Sequence, residues 1–250
     1  MRGGRGMTAV VAGAALVALA GCGSGGSDDD KPFAGKSADE IAADAVKATQ
    51  RADSMHMKGT VRQTGSSGAT VSVDLSVDQR KNCDGTIRTA GASADIRHTN
   101  GTLYLRGDKK YWQNTLKGRP GGDKVVPKVT DKWVKAPADD SMTQGLCDKQ
   151  GLTSSMDEDK SERKGMKKGS TTTVDGTEAI RLTKKTSGGE TLTLYVATKG
   201  KPYILRTTSS GGKDPNTATF SDYGKPVQPQ EPAPGETVDL KELAASAQKA

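Results

Sequence analysis

From Val71 to Asp78 the chain alternates without a break. Val71, Val73, Leu75 and Val77 are apolar, and Ser72, Asp74, Ser76 and Asp78 between them are polar. Successive side chains of a strand point to opposite faces, so this run makes a strand with one dry face and one wet face. A strand of that kind must pair sideways and bury its dry face against something else, and the rest of the chain supplies the neighbours. Residues 55–63 read as its hairpin partner. Further strands are predicted over 86–89, 92–99, 102–106, 132–135, 170–174, 178–183, 190–197, 203–209 and 218–223.

Turn signals separate these runs: Asp84-Gly85, Asn100-Gly101, Asp175-Gly176, Gly188-Gly189 and Gly211-Gly212. Long continuous apolar runs are too few for a buried parallel sheet, so the expected architecture is an antiparallel meander. No internal repeat is present.

A few helices accompany the sheet. Ser37 and Glu40 have the spacing of a capping box. Ile41, Ala45, Val46, Thr49 and Ala52 follow on one stripe, predicting a helix to about Asp53. Trp112 and Leu116 stand one turn apart in a second helix over 108–117. A third is expected over 140–156, with Met142, Leu146 and Met156, although Gly145 and Gly151 weaken it. A mixed-charge loop is expected over 156–169. After a Pro-rich stretch from Pro226 to Pro234, Asp239 and Glu242 cap a short terminal helix with Leu240, Leu243, Ala244 and Ala247 on its stripe.

The N-terminus decides where all this folds. Arg2 and Arg5 precede an uncharged, Ala/Val/Leu-rich run of 14 residues from Met7 to Ala20. That length suits the core of an export signal and falls short of the roughly 20 residues a membrane span needs. The run ends in Leu19-Ala20-Gly21-Cys22, an order that resembles the lipobox read by lipoprotein signal peptidase. Residues 1–21 are therefore expected to be a signal, Cys22 the lipidated residue, and 22–36 a Gly/Ser/Asp-rich tether. The expected location is the extracytoplasmic face of a cell membrane, held by the lipid. Gly21, Gly23 and Gly26 also match G-x-G-x-x-G, but the expected cleavage bond cuts through that motif and no strand precedes it.

Once Cys22 is assigned to lipid, Cys83 and Cys147 remain. Outside the cytoplasm an even remainder reads as a disulfide, with two free buried thiols as the alternative. His56 and His98 stand apart from the cysteines, so no metal or other cofactor is expected. Both histidines are predicted on outward-looking strand positions. Two Phe and two Trp make the core mostly aliphatic. Loss of residues 1–21 removes Arg2 and Arg5 but no acid, lowering the net charge from +7 to +5. The excess cations are dispersed along the chain, which argues against nucleic acid as a partner and suits a body held beside an anionic membrane.

Catalytic motifs are weak. Ser161-Glu162-Arg163-Lys164 matches S-x-x-K, and Lys185-Thr186-Ser187-Gly188 only faintly approaches a K-T-G box. A serine nucleophile needs a rigid helix start beside a depressed lysine, and Ser161 falls in a charged loop. There is no H-E-x-x-H and no G-x-S-x-G. No catalytic residue is expected, and the chain reads as a non-enzyme.

The order of elements, with certain stretches, carries a resemblance. Met57-Lys58-Gly59-Thr60 opens the first strand directly after the capped helix. Asn100-Gly101-Thr102-Leu103-Tyr104-Leu105 leads into the helix with Trp112, and Trp133-Val134 restarts the sheet. Leu194-Tyr195-Val196, Pro202-Tyr203 and Phe220-Ser221-Asp222-Tyr223-Gly224 close it. Over roughly Ser37 to Val227 the chain resembles the actinobacterial LppX/LprG-type lipoproteins and, more distantly, the LolA/LolB lipoprotein carriers.

That resemblance implies an α+β, mostly antiparallel fold: one curved sheet, a half-open β-barrel, wrapped around a few helices over 37–227. Residues 228–250 follow as the Pro-rich segment and terminal helix. It also implies an apolar cavity for acyl chains of lipids or acylated ligands. By strand parity Val71, Val73, Leu75 and Val77 should line the concave side. Leu103 and Leu105, Ile180 and Leu182, and Leu192, Leu194 and Val196 should join them. Trp112, Leu116 and Trp133 should cover it. The competing expectation is a non-transporting envelope interaction or structural module whose same residues close into a filled core.

Overall fold

The computed structural model describes residues 32–62, 70–137, 145, 147–158, 163–212, 215–239 and 242–243. The predicted signal, Cys22, most of the predicted tether and Ser161 lie outside the described residues. Helix α1 spans Ala38–Arg51. Ser37 caps it: its Oγ accepts from Glu40 N at 3.2 Å, and the Glu40 carboxylate accepts from Ser37 N at 2.8 Å. Two otherwise orphaned N–H groups are satisfied in this way. The expected stripe is the buried one, with Ile41, Ala42, Ala45, Val46 and Thr49 inside.

The meander follows: β1 (Ser54–Arg62), β2 (Thr70–Asp78), β3 (Cys83–Thr89), β4 (Ala92–Thr99), β5 (Thr102–Gly107) and β6 (Trp133–Pro137). Helices α2 (Lys109–Thr115) and α3 (Gly122–Val129) interrupt it between β5 and β6. Helix α4 (Lys149–Glu158) leads to a second meander: β7 (Lys167–Val174), β8 (Thr177–Lys185), β9 (Thr191–Ala197), β10 (Ile204–Ser210) and β11 (Asn216–Ser221). The two meanders become one sheet where β1 pairs antiparallel with β11. A last strand, β12 (Thr237–Asp239), lies parallel to β6, and the order is β12-β6-β5-β4-β3-β2-β1-β11-β10-β9-β8-β7. The sheet ends at β12 and β7 without closing, so it is a half-open barrel with its helices on one side.

Several sequence expectations change. Asp84-Gly85 is not a turn but part of β3, where Gly85 lies opposite Leu75. A Cβ on Gly85 would stand 2.2 Å from the Asp74 carbonyl oxygen, so the glycine serves close backbone approach rather than reversal. The reversal occurs at 79–82, with Lys81 at φ +67°. There Asp78 Oδ1 accepts from Arg80 N and Asn82 N at 2.8 and 2.9 Å. Helix α3, with Gly122 at its start and Pro127 inside it, is not among the predicted helices. The described part of the third predicted helix begins only at Lys149, where Asp148 Oδ1 caps Gln150 N and Gly151 N. Strand β7 starts inside the expected 156–169 loop. Strand β12 extends the sheet past residue 227. The predicted terminal helix falls mostly outside the described residues.

Candidate functional site: a partly covered concave face

Register fixes what faces inward. Val71, Val73, Leu75 and Val77 lie opposite Val61, Gly59, Met57 and Met55 on β1, and opposite Thr89, Ile87, Gly85 and Cys83 on β3. Over much of this face the core is closed. Leu75, Val77, Leu103, Leu105, Ile180, Leu182, Val196 and Trp112 all belong to one buried cluster with the stripe of α1 and with Val125, Val126 and Val129 of α3. These eight predicted cavity residues are core. Leu116 packs partly buried against them. Elsewhere the cover is incomplete: Met57, Val73, Ile87 and Ala218 face the same side but are only partly buried, and so is Val71.

A cavity of about 330 Å³ opens between α1, the segment entering β7, and the concave face of β9–β11. Val46, Met166, Leu192, Leu194 and Ile204 give it apolar walls, and Thr207, Ser209, Asn216, Glu190 and Arg163 give it polar ones. Val46 and Arg163 also border an adjoining groove of about 510 Å³ lined by Asp39, Lys47, Gln50 and Lys164. Inside, the Ser209 hydroxyl donates to the Glu190 carboxylate. The segment over the mouth is clipped to α1: Asp39 Oδ2 accepts from Gly165 N at 3.0 Å and Oδ1 from Met166 N at 3.1 Å. A space of this size and mixed lining suits a chain-like apolar group with a polar end.

Of the predicted lining, Leu192 and Leu194 reach this cavity. Val46, Met166, Ile204, Arg163, Glu190 and Ser209 were missed. One signal was present: Thr207, Ser209 and Asn216 occupy inward positions, opposite Leu194, Leu192 and Ser209 respectively, where a closed core would call for apolar residues. Trp133 is a correction. Its neighbour Val134 faces the core opposite Leu105, so Trp133 lies on the convex face. There the guanidiniums of Arg97 and Arg106 each stand 4.7 Å from its ring centroid. It cannot cover the cavity.

Cys83 and Cys147 are joined in a disulfide, with Cα atoms 5.5 Å apart. Cys83 is on the dry face of β3, so the bond fastens the approach to α4 beneath the barrel. His98, expected outward, is buried on that same face opposite Cys83, and its Nδ1–H donates to the Lys81 carbonyl at 2.6 Å. His56 sits on the wet face as expected, 2.7 Å from Asp74. Hydrogen bonds from Lys58 and His56 hold the Asp74 carboxyl below its usual range. Among the described residues no group of three or more His, Cys, Asp or Glu could hold a metal, and no helix is long and apolar enough to cross a membrane.

No family model and no curated protein sequence matches the chain. Among solved structures it is similar to LprF from Mycobacterium bovis, at 18% identity over 78% of this chain and 97% of that one, with a TM-score of 0.53. It is also similar to the Mycobacterium tuberculosis lipoprotein LppX, at 15% identity over 76% of this chain and 96% of that one, with a TM-score of 0.47. The likeness to LprF shows the fold alone, a half-open barrel.

Proposed function

We propose that this chain is a lipoprotein anchored through Cys22 on the extracytoplasmic face of a cell membrane, and that it binds acyl chains of lipids or acylated ligands in its concave cavity. The observation that carries the reading is the cavity of about 330 Å³ between Val46, Met166, Leu192, Leu194 and Ile204, beside a concave face left partly uncovered. An apolar face without full protein cover exposes surface to water that an acyl chain would remove. Its location in a half-barrel fold and the Leu19-Ala20-Gly21-Cys22 sequence add support. Binding is the activity assigned to the cavity.

Two experiments test the two halves. Cys22→Ser should release the protein from the membrane fraction or leave the precursor uncut, since stable attachment takes more than one acyl chain. A fully processed, membrane-held variant refutes the anchor. For the ligand, protein purified from its own membrane is extracted with organic solvent and its lipid quantified by mass spectrometry. Leu194→Trp should lower bound lipid while the protein still melts cooperatively, because the indole fills space the acyl chain held. Lipid-free wild type, with a variant that only melts earlier, would instead favour a filled module whose core was overpacked at a cost of about 1–3 kcal/mol.

A further inference from the structure

Three polar side chains on the outer face of the sheet are joined by hydrogen bonds across adjacent strands. Ser221 ends β11, His56 lies opposite it on β1, and Asp74 lies on β2. Asp74 Oδ1 stands 2.7 Å from His56 Nε2, and Ser221 Oγ stands 3.3 Å from His56 Nδ1. An ionised carboxylate only accepts hydrogen bonds, so it holds the proton of the neutral ring on Nε2. Nδ1 is then an acceptor, and the Ser221 hydroxyl donates to it. Lys58 Nζ, 2.9 Å from Asp74 Oδ2, helps keep that carboxylate ionised. No local motif joins positions 56, 74 and 221, so the sequence pattern hid this arrangement.

Ser221 also borders a hollow of about 430 Å³. Val174, Ala197 and Leu205, which form a small buried cluster with Ala179, give it an apolar wall. The sequence neighbours Ile180, Val196 and Ile204 belong to the main core, so this wall stands across the sheet from the concave cavity. Asp175, Asp222, Lys199 and Lys201 border the hollow as well. Both signs of charge are present, which suits an uncharged occupant. A hydroxyl hydrogen-bonded to a base, with the base oriented by a third group beside a pocket, is the arrangement of a nucleophile.

We propose that Ser221, with His56 as its base and Asp74 positioning that base, attacks uncharged short-chain acyl esters seated in this hollow. Ser221 Oγ bonds to the ester carbonyl carbon as its proton passes to His56 Nδ1. The adduct expels the alcohol, which takes that proton. Water, giving its proton to the same nitrogen, then releases the acid and restores Ser221. The site is independent of the Cys22 anchor and of acyl-chain binding in the concave cavity.

The test treats full-chain protein with a biotin-tagged fluorophosphonate, whose phosphorus takes the serine oxygen and releases fluoride. Peptide mass spectrometry locates the adduct. Ser221 should be modified in the folded protein, and Ser76, which also lies opposite His56, should not. His56→Gln should slow the modification about a hundredfold at an unchanged melting temperature. Ser221→Ala should lose both the adduct and hydrolysis of p-nitrophenyl butyrate. NMR of the His56 ring nitrogens should show the proton on Nε2 in wild type. Asp74→Asn should lose that signature and slow the modification in step. Wild type without an adduct on Ser221, or an adduct that forms as fast in His56→Gln, overturns the proposal and leaves the three side chains as a tie between strands. A wild-type His56 protonated on Nδ1 alone overturns the roles of both His56 and Asp74.

Discussion

Thr49 on α1 accepts a hydrogen bond from the backbone N–H of Ile204 on β10 at 3.1 Å, and both residues are buried. The bond sits at an irregularity. Strand β10 shifts register against β9 between Ile204 and Arg206, so its ladder cannot satisfy every backbone group there. Tyr223 supplies another partner, donating its hydroxyl to the Ile204 carbonyl while stacking on Tyr203 at 4.0 Å between ring centroids. The helix is thereby fixed to the sheet beside the cavity that Ile204 lines. Thr49→Val keeps the shape and removes the acceptor, leaving a buried N–H unpaired. The expected loss is about 1–3 kcal/mol, seen as a fall of roughly 2–4 °C in Tm per kcal/mol for a chain of this size. An unchanged melting temperature would remove Thr49 from this role.

Lys149 works at the same C-terminal end of that helix. Its buried ammonium donates to the carbonyls of Thr49 and Gln50 at 3.1 and 2.9 Å, completing the C-terminal turn of α1 from α4. Burial pulls its pKa below the ordinary 10.5, against the opposing pull of Asp53. The folded protein thus gives up this proton before the unfolded chain does. The contribution of Lys149 to stability is complete above pH 10.5 and is lost as pH falls through the folded value. Tyr223 has the opposite sign: burial raises its pKa above 10, so its contribution is complete below pH 10 and is lost as pH rises through the folded value. Urea melts of wild type and Lys149→Met at neutral pH and near pH 10 should show wild type gaining on the variant as pH rises. A difference that does not change with pH would refute the depressed lysine.

The Cys83–Cys147 bond closes a sequence separation of 64 residues. In the chain-entropy model that constraint on the unfolded state is worth about 4 kcal/mol. Cys83→Ala with Cys147→Ala should lower stability by that order. It should also raise hydrogen exchange first in α4, whose approach the bond fastens to β3. Uniform loss across the sheet, with α4 protected as before, would show that α4 is held by Lys149 and its own packing instead.

The alternation from Val71 to Asp78 was enough to place β2 and its faces, because a dry face needs burial whatever its neighbours are. Ser37 with Glu40 gave the start of α1, and Asn100-Gly101 and Asp175-Gly176 gave two hairpin turns whose paired residues all have positive φ. Asp84-Gly85 misled because a glycine reports freedom of the backbone and not its use; here it admits the Asp74 carbonyl. Helix α3 was not predicted at all: it is short, holds Pro127 in its later turn, and is kept by burial of Val125, Val126 and Val129 against the core rather than by local propensity. The cavity was the least legible part. Its walls come from α1, the entry to β7, and β9–β11, which no local pattern joins, and its polar inward residues depart from the parity used to find the rest.

Trp133 tests that parity most sharply, since Trp133 and Val134 are both apolar and alternation alone cannot say which faces in. The structure puts Val134 in the core and Trp133 outside, 3% exposed, under Arg97 and Arg106. Arg97 bonds Asp84 Oδ1 at 3.1 Å and Arg106 reaches Asp95 Oδ2 at 2.7 Å, so both cations are held over the ring from neighbouring strands. Each cation–π contact contributes about 0.5–1 kcal/mol, and removal of a buried indole costs about 3–5 kcal/mol. Trp133→Ala should therefore melt earlier than Leu194→Trp. Below its melting temperature, however, it should hold as much lipid per protein as wild type, because the lost ring lies across the sheet from the cavity. The measurement is lipid stoichiometry beside Tm for the two variants. A folded Trp133→Ala protein with less bound lipid would place Trp133 on the concave side after all and reverse the register argument for β6.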